Sequence, residues 1–370
     1  MTVQIPPELL PGDGRFGSGP SKVRVEAVRA LAEAGADYLG TSHRREGVRG
    51  VVRAVREGLT ELFALPDGYE VVMGTGGSTA FWDAAAFGLV ERRAEHLVFG
   101  EFSSKFAAVS AGAPFLDSPL VVESDPGTHP DLVADASIDT YAFPQNETST
   151  GVMMDVRRVA GDDGLMLVDA TSSAGGTRVD PTQFDVYYFA PQKAFAADAG
   201  IWIAVCSPVA IERIDRIAAS DRWVPPSLSL PVALENSRLD QTYNTPPLAS
   251  VFLVADTLRW MLDHGGLDWA ASRCDLSAEI VYGWAEASEY ATPFVAKPSE
   301  RSHTTATIDF VDTIDAKAVT DALRANGIID TEPYRKLGRN QIRIALFPAI
   351  EPDDVAALTR CIDYVVESQV

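Results

Sequence analysis

Lysine is scarce in this 370-residue chain: only positions 22, 105, 193, 297, 317 and 336 carry it, so arginine supplies most of the 31 cationic side chains. Cations of either kind are outnumbered by 52 carboxylates, and the formal charge is −21. A general binder of nucleic acid or of an anionic membrane gathers Lys and Arg to release counterions, so both classes are excluded. Any anionic ligand must meet a local cationic pocket. Cysteine is also sparse: Cys206, Cys274 and Cys361 are odd in number, lack CxxC spacing and lie within apolar patterns, which reads as structural burial rather than a disulfide framework. The five histidines, at 43, 96, 129, 264 and 303, form no HExxH or other ligand spacing, so no metal site is expected. No apolar run approaches the roughly 18 residues of a membrane helix, and MTVQIPPELLPGDG lacks the basic and apolar regions of a secretory signal. The expected address is the cytoplasm.

What the chain does have is apolar residues in folding patterns. Hydrophobic residues make up 46% of it, enough for a substantial core and two domains. Ser21 is placed to cap a helix with Val25, Val28, Leu31 and Ala32 on one face, ending near Gly35. A second helix is marked by Val48, Val51, Val52, Val55, Leu59, Leu62 and Phe63 at i, i+3, i+4, i+7 spacing. Strands are then expected at 69–73, 96–100, 119–123, 140–144, 165–170, 185–190 and 201–206, with helical stretches among them. That alternation predicts an α/β fold with a mostly parallel sheet flanked by helices. After Pro-rich WVPPSLSLP and TYNTPP come a long helix ending at His264-Gly265-Gly266, another reaching about Tyr290, and then strand, helix, strand and terminal helix. The division expected is a large domain over 16–260 and a smaller C-terminal α+β domain over 261–370, with residues 1–15 packing on the latter.

In parallel sheets chemistry gathers beyond the carboxyl ends of the strands. LMLVDA delivers Asp169, and DVYYFAPQK delivers Gln192 and Lys193. If these strands are neighbours, a carboxylate and an amine share one crevice. That pair suits pyridoxal phosphate, whose aldehyde needs a lysine and whose pyridinium nitrogen needs a carboxylate. The same two residues also fit a helix cap with a loop ion pair. YEVVMGTGGSTAFWDAA reads as strand, glycine-rich turn and helix, a phosphate cradle at Gly76, Gly77, Ser78 and Thr79. Gly74-x-Gly76, with Glu101 after the next strand, equally resembles part of a dinucleotide fingerprint, but Thr79 stands where its third glycine belongs. Phe102 in GEFSSKF could stack on a planar cofactor or belong to the core; Asn146 and Thr148 in AFPQNETSTG end another strand. Arg335, Lys336, Arg339 and Arg343, with His43, Arg44 and Arg45, are either solvated faces or an anion pocket.

Taken together and in order, FGSGP, GTSHR, GTGGST, GEFS, NETSTG, VDATSS, APQK, TYNTPP and NQIRIALFPA resemble the phosphoserine aminotransferases, fold-type I pyridoxal-phosphate enzymes of the class V group, in their actinobacterial branch. The likeness spans the chain from Phe16 to the terminal helix. It implies transamination between glutamate and 3-phosphohydroxypyruvate in serine synthesis, with a related phosphorylated substrate of pyridoxine synthesis, 4-phosphohydroxythreonine, also in range. By position, Lys193 would bind pyridoxal phosphate, Asp169 would pair with its ring nitrogen, and Phe102 stands where many members stack Trp. Ser78, Thr79 and Gln192 would hold the cofactor phosphate with Thr148 beside the ring, and Asn244 and Thr245 would reach the phosphate site of a second subunit, implying a homodimer with shared sites. Arg343 would take the substrate α-carboxylate, and His43, Arg44, Arg335 and Lys336 the distal anion. The chain departs from many members at Ala194, at Ala199-Gly200, and at Arg335-Lys336 in place of His-Arg. Another class V relative, such as a cysteine desulfurase, would need a reactive cysteine; a nicotinamide-nucleotide-binding protein would leave Lys193 and TYNTPP without a task.

Overall fold

The computed structural model describes residues 3–159, 161 and 163–368. Seven strands form the main sheet: β1 (Glu70–Thr75), β2 (Ala94–Val98), β3 (Leu120–Glu123), β4 (Thr140–Pro144), β7 (Leu165–Asp169), β8 (Val186–Phe189) and β9 (Ile201–Cys206). Between β4 and β7 the chain makes a two-strand hairpin, β5 (Asn146–Glu147) and β6 (Val152–Met153). The sheet order is β1-β9-β8-β7-β4-β2-β3, and β9 runs antiparallel to both its neighbours while β8, β7, β4, β2 and β3 are mutually parallel. The sheet is therefore the mostly parallel one that the alternating pattern predicts.

Helices cover both faces, which explains why the strands are apolar at almost every position rather than at every second one. Met73, Phe143, Val168, Tyr187 and Ile203 point to one face, against α2 (Glu46–Leu62) and α7 (Leu248–Asp263). Their neighbours Val72, Ala142, Leu167, Tyr188 and Ala204 point to the other, against α3 (Ser78–Gly88), α4 (Glu101–Gly112), α5 (Pro208–Ala218) and α6 (Leu230–Arg238). Leu59 of α2 is fully buried in the first layer, so its truncation to Ala costs about 2–5 kcal/mol.

The first helix, α1 (Val25–Tyr38), differs from its expected form. Ser21 does not cap it; the Ser21 N–H donates to the Gln192 carbonyl at 2.9 Å, which keeps that segment extended along the loop before Lys193. The helix starts at Val25 and runs past Gly35. Ala27 and Leu31 face the core, while Val25 and Val28 are 47% and 49% exposed.

A second apolar cluster lies around the three-stranded antiparallel sheet of β10 (Ala291–Pro293), β11 (Thr305–Phe310) and β12 (Gln341–Ala345). It takes side chains from the second half of α8 (Gly266–Ala287), from α9 (Ala316–Ala325) and from α10 (Pro352–Glu367). Ile5 and Phe16 enter the same cluster, and the Ala345 N–H donates to the Phe16 carbonyl at 3.0 Å. β10 went unread in the sequence because three residues, one of them Pro293, give no usable alternation.

Candidate active site

A cavity of about 290 Å³ opens at the carboxyl ends of the parallel strands. Asp169 is the last residue of β7, and β7 and β8 are parallel neighbours with Asp169 opposite Tyr188. The carboxylate and Lys193, at the loop after β8, therefore line the same cavity, as the strand-end argument requires. Asp169 is held by three donors: the Thr171 N–H at 2.9 Å, the Tyr188 hydroxyl at 3.0 Å and the Trp82 indole N–H at 3.2 Å. Burial and the adjacent Asp169 push the Tyr188 phenol well up, so it remains a donor to the carboxylate at any ordinary pH.

Lys193 is buried, and its ammonium donates to Thr148 Oγ1 at 2.7 Å while lying 5.4 Å from the centre of the Phe102 ring. Desolvation is the largest influence on it and lowers its pKa to about 8, assisted by Arg343 and opposed by Asp169 and Glu147. A lysine poised there has a substantial neutral fraction, the form that acts as nucleophile and base. Gly19 makes room for this side chain: a Cβ at that position would stand 2.7 Å from Lys193 Cε.

Gly77, at φ +79°, precedes the first turn of α3, and Ser78 and Thr79 follow at the cavity wall. The first N–H groups of a helix have no partner within it, so this wall presents donors and the positive end of the helix dipole. Ser78 Oγ lies 2.6 Å from Thr171 Oγ1. Among the described residues, Asn146 Oδ1, Gln192 Oε1 and Arg343 Nε are buried without a protein partner, and all three residues line the cavity. An amine, a buried carboxylate, an aromatic wall and a helix N-terminus around one cavity fit a planar phosphorylated aldehyde.

The aminotransferase class-V family model matches residues 124–331. A phosphoserine aminotransferase of Rhodococcus jostii is 58% identical over 363 residues, covering 98% of this chain and 97% of its own. The chain belongs to the class-V aminotransferases. A crystal structure of a phosphoserine aminotransferase from Cytophaga hutchinsonii superposes with a TM-score of 0.88 at 26% identity, over 94% of this chain and 97% of that one. The phosphoserine aminotransferase of Bacillus circulans subsp. alkalophilus shares the fold, with a TM-score of 0.84 at 20% identity over 97% and 99% of the two chains. The fold is thus that of the fold-type I pyridoxal-phosphate transferases, and the cofactor of this class-V aminotransferase is pyridoxal phosphate.

Of the residues expected at the site, Ser78, Thr79, Phe102, Thr148, Asp169, Gln192, Lys193 and Arg343 line one cavity. Arg343, on β12, donates from Nη1 to the Thr148 carbonyl at 3.2 Å and lies 5.5 Å from the Tyr334 ring centre; burial lowers its pKa. The other cations stand elsewhere. Lys336 pairs with Glu101 at the first turn of α4, and Arg335 is exposed in the same short turn. His43 lies 3.1 Å from Thr245 Oγ1, and Arg44 donates to Gln241 Oε1 at 2.9 Å, so His43, Arg44, Asn244 and Thr245 form a separate, largely exposed group.

Several residues that line the cavity or support Asp169 were missed by the sequence reading. Trp82 and Tyr188 reach Asp169 from a helix and a strand whose apolar pattern reads only as core. Trp82 follows Ser78 by four positions and so shares its face of α3, which is the one signal available. Tyr334, in the loop before β12, has no signal of its own.

Proposed function

We propose that this chain transfers an amino group between glutamate and 3-phosphohydroxypyruvate, giving O-phosphoserine and 2-oxoglutarate by a ping-pong route in serine synthesis. The observation that carries the chemical part is the buried Lys193, pKa about 8, in one cavity with Asp169 and Arg343. The identity of the substrates is supported by the near full-length likeness to the Rhodococcus jostii enzyme. Fold alone does not choose the substrate: an aspartate aminotransferase of Thermus thermophilus and an alanine–glyoxylate aminotransferase of Nostoc share it at TM-scores of 0.81 and 0.80. By the same likeness, 4-phosphohydroxythreonine is a second substrate in range. A desulfurase reading is disfavoured, because Cys206, Cys274 and Cys361 are all buried and burial raises each thiol, Cys206 to about 12 and Cys361 to about 11.

Pyridoxal phosphate supplies the electron sink for breaking the substrate Cα–H bond and carries the amino group between the two half-reactions. The chain's own groups do the rest. Lys193 would hold the cofactor, and its neutral amine is placed to take and return the substrate α-proton. Asp169, fixed by Tyr188, Trp82 and Thr171, would hold negative charge at the cofactor ring nitrogen. Phe102 would wall one face of the cofactor ring, and Ser78, Thr79 and Gln192, with the start of α3, would hold its phosphate. Arg343 presents its guanidinium to the α-carboxylate common to every substrate.

The distal anion is assigned to His43, Arg44, Arg335 and Lys336, two groups that stand at the surface of the single chain. That exposure supports a homodimer in which Asn244 and Thr245 reach the neighbour's cofactor phosphate and His43 and Arg44 complete the neighbour's substrate pocket. The division into a large domain over 16–260 and a small one over 261–370, with residues 1–15 on the latter, is supported by a separate apolar cluster that holds Ile5 and most of the buried apolar residues from Ala278 to Val366, although Phe16 joins that cluster while Met261, Ala270 and Val295 pack in the larger core. No helix among the described residues is long and apolar enough to cross a membrane, and the enzyme is assigned to the cytoplasm. The test is a set of initial rates with 3-phosphohydroxypyruvate and varied glutamate. Parallel double-reciprocal lines and release of O-phosphoserine are expected; intersecting lines, or no turnover with the phosphorylated acceptor while an unphosphorylated 2-oxo acid reacts, would overturn the proposal.

A further inference from the structure

Apart from opposing the lowered pKa of Lys193, the buried carboxylate of Glu147 has no part in the roles above. It is fully inaccessible, yet it receives the Ser103 N–H at 3.0 Å, the Ser103 hydroxyl at 2.9 Å and the Phe102 N–H at 3.2 Å on Oε2. On Oε1 it receives the Ser149 N–H at 3.1 Å and the Ser149 hydroxyl at 2.7 Å. Ser149 Oγ in turn accepts the Glu101 N–H at 3.0 Å. The first three N–H groups of α4 are therefore all bound by Glu147, at the end of β5, and by Ser149 in the turn that follows it. Gly100 permits the approach: a Cβ there would fall 2.3 Å from Glu147 Cγ and 2.5 Å from Ser149 Oγ.

The segment alternates. Asn146 and Thr148 face the cavity, Thr148 taking the Lys193 ammonium, whereas Glu147 and Ser149 face α4. A carboxylate at a helix N-terminus is favoured by the dipole, and its charge-assisted bonds are short and directional. Since Phe102 is the second residue of α4 and its own N–H is one of the groups held, the position of its ring follows from the clamp.

We propose that Glu147 is a positioning residue for the cofactor: by clamping the first turn of α4 it sets the Phe102 ring against the face of pyridoxal phosphate. The inference depends on the cofactor and not on which amino acid the enzyme uses, so its test involves no substrate. Glu147→Gln keeps one acceptor oxygen but turns an NH₂ group toward N–H donors and removes the charge. Cofactor affinity, read by quenching of tryptophan fluorescence in the apoprotein, is expected to fall roughly 10- to 100-fold. The induced circular dichroism of the bound cofactor should shrink as it does in Phe102→Ala. Because the effect runs through Phe102, adding Glu147→Gln to Phe102→Ala should weaken binding little further. An unchanged affinity and dichroism with only a lower Tm would overturn the proposal, as would losses that multiply in the double variant. If Glu147→Gln does not fold, Ser149→Ala carries the test: a smaller loss of affinity and dichroism in the same direction is expected, and wild-type values for both refute the clamp.

Discussion

The depressed pKa of Lys193 has a direct kinetic consequence for the apoprotein. Capture of pyridoxal phosphate requires the neutral amine. At pH 7 a lysine with its ordinary pKa is neutral in about 0.03% of molecules, whereas a pKa of about 8 makes that about 10%, a gain of roughly 300-fold. The second-order rate of capture, followed by stopped-flow absorbance in the visible, should therefore rise with pH and level off above about 8. Arg343 helps to lower this pKa and Asp169 opposes it. Arg343→Ala should thus move the midpoint up, and Asp169→Asn should move it down. The sign for stability follows as well: with the folded pKa below the unfolded one, the unfolded chain holds more protons between about 8 and 10.5, so the apo fold gains stability as pH rises through that window. A midpoint near 10.5, or an upward shift in Asp169→Asn, would refute the reasoning that burial rather than charge pairing controls this lysine.

Tyr188→Phe removes one hydrogen bond to the Asp169 carboxylate and one of the two acceptors of the Trp82 indole, so cofactor affinity should fall about tenfold in fluorescence titration. Arg343→Ala should lower kcat/KM for glutamate, phosphoserine and alanine alike, by roughly 10- to 150-fold each. Arg44→Ala, or loss of Arg335 and Lys336 together, should penalise phosphoserine and glutamate but leave alanine nearly unchanged, because alanine has no distal charge to lose. Mixing inactive Lys193→Ala with inactive Asn244→Ala/Thr245→Ala protomers should restore activity after subunit exchange, since one site of the mixed dimer carries neither lesion.

The sheet and the placing of Asp169 and Lys193 at strand ends were legible in the sequence because both depend on local signals. Runs such as LMLVDA and DVYYFA mark strands fully covered by helices, and the polar residues that follow them must lie at strand ends. What stayed hidden depends on which elements meet. Val25, Val28, Leu31 and Ala32 share a spacing that fits a buried stripe, but the tie from Ser21 to Gln192 and the position of α1 at the molecular surface rotate Val25 and Val28 outward. Trp82, Tyr188 and Glu147 act through partners 87, 19 and 44 positions away, distances that no periodicity encodes. Glu147 is the clearest case: an acidic residue in a polar turn reads as solvent-facing, and only the approach of α4 at Gly100 buries it.

The central claim, that Lys193 and pyridoxal phosphate move an amino group to and from a phosphorylated substrate, is tested most directly by a single turnover without a second substrate. Cofactor-loaded protein mixed with O-phosphoserine should lose its visible absorption and release one equivalent of 3-phosphohydroxypyruvate per site, and added 2-oxoglutarate should restore the colour. Lys193→Ala should do neither. Absorption that persists in phosphoserine and in glutamate, from protein shown to hold the cofactor, would contradict the account.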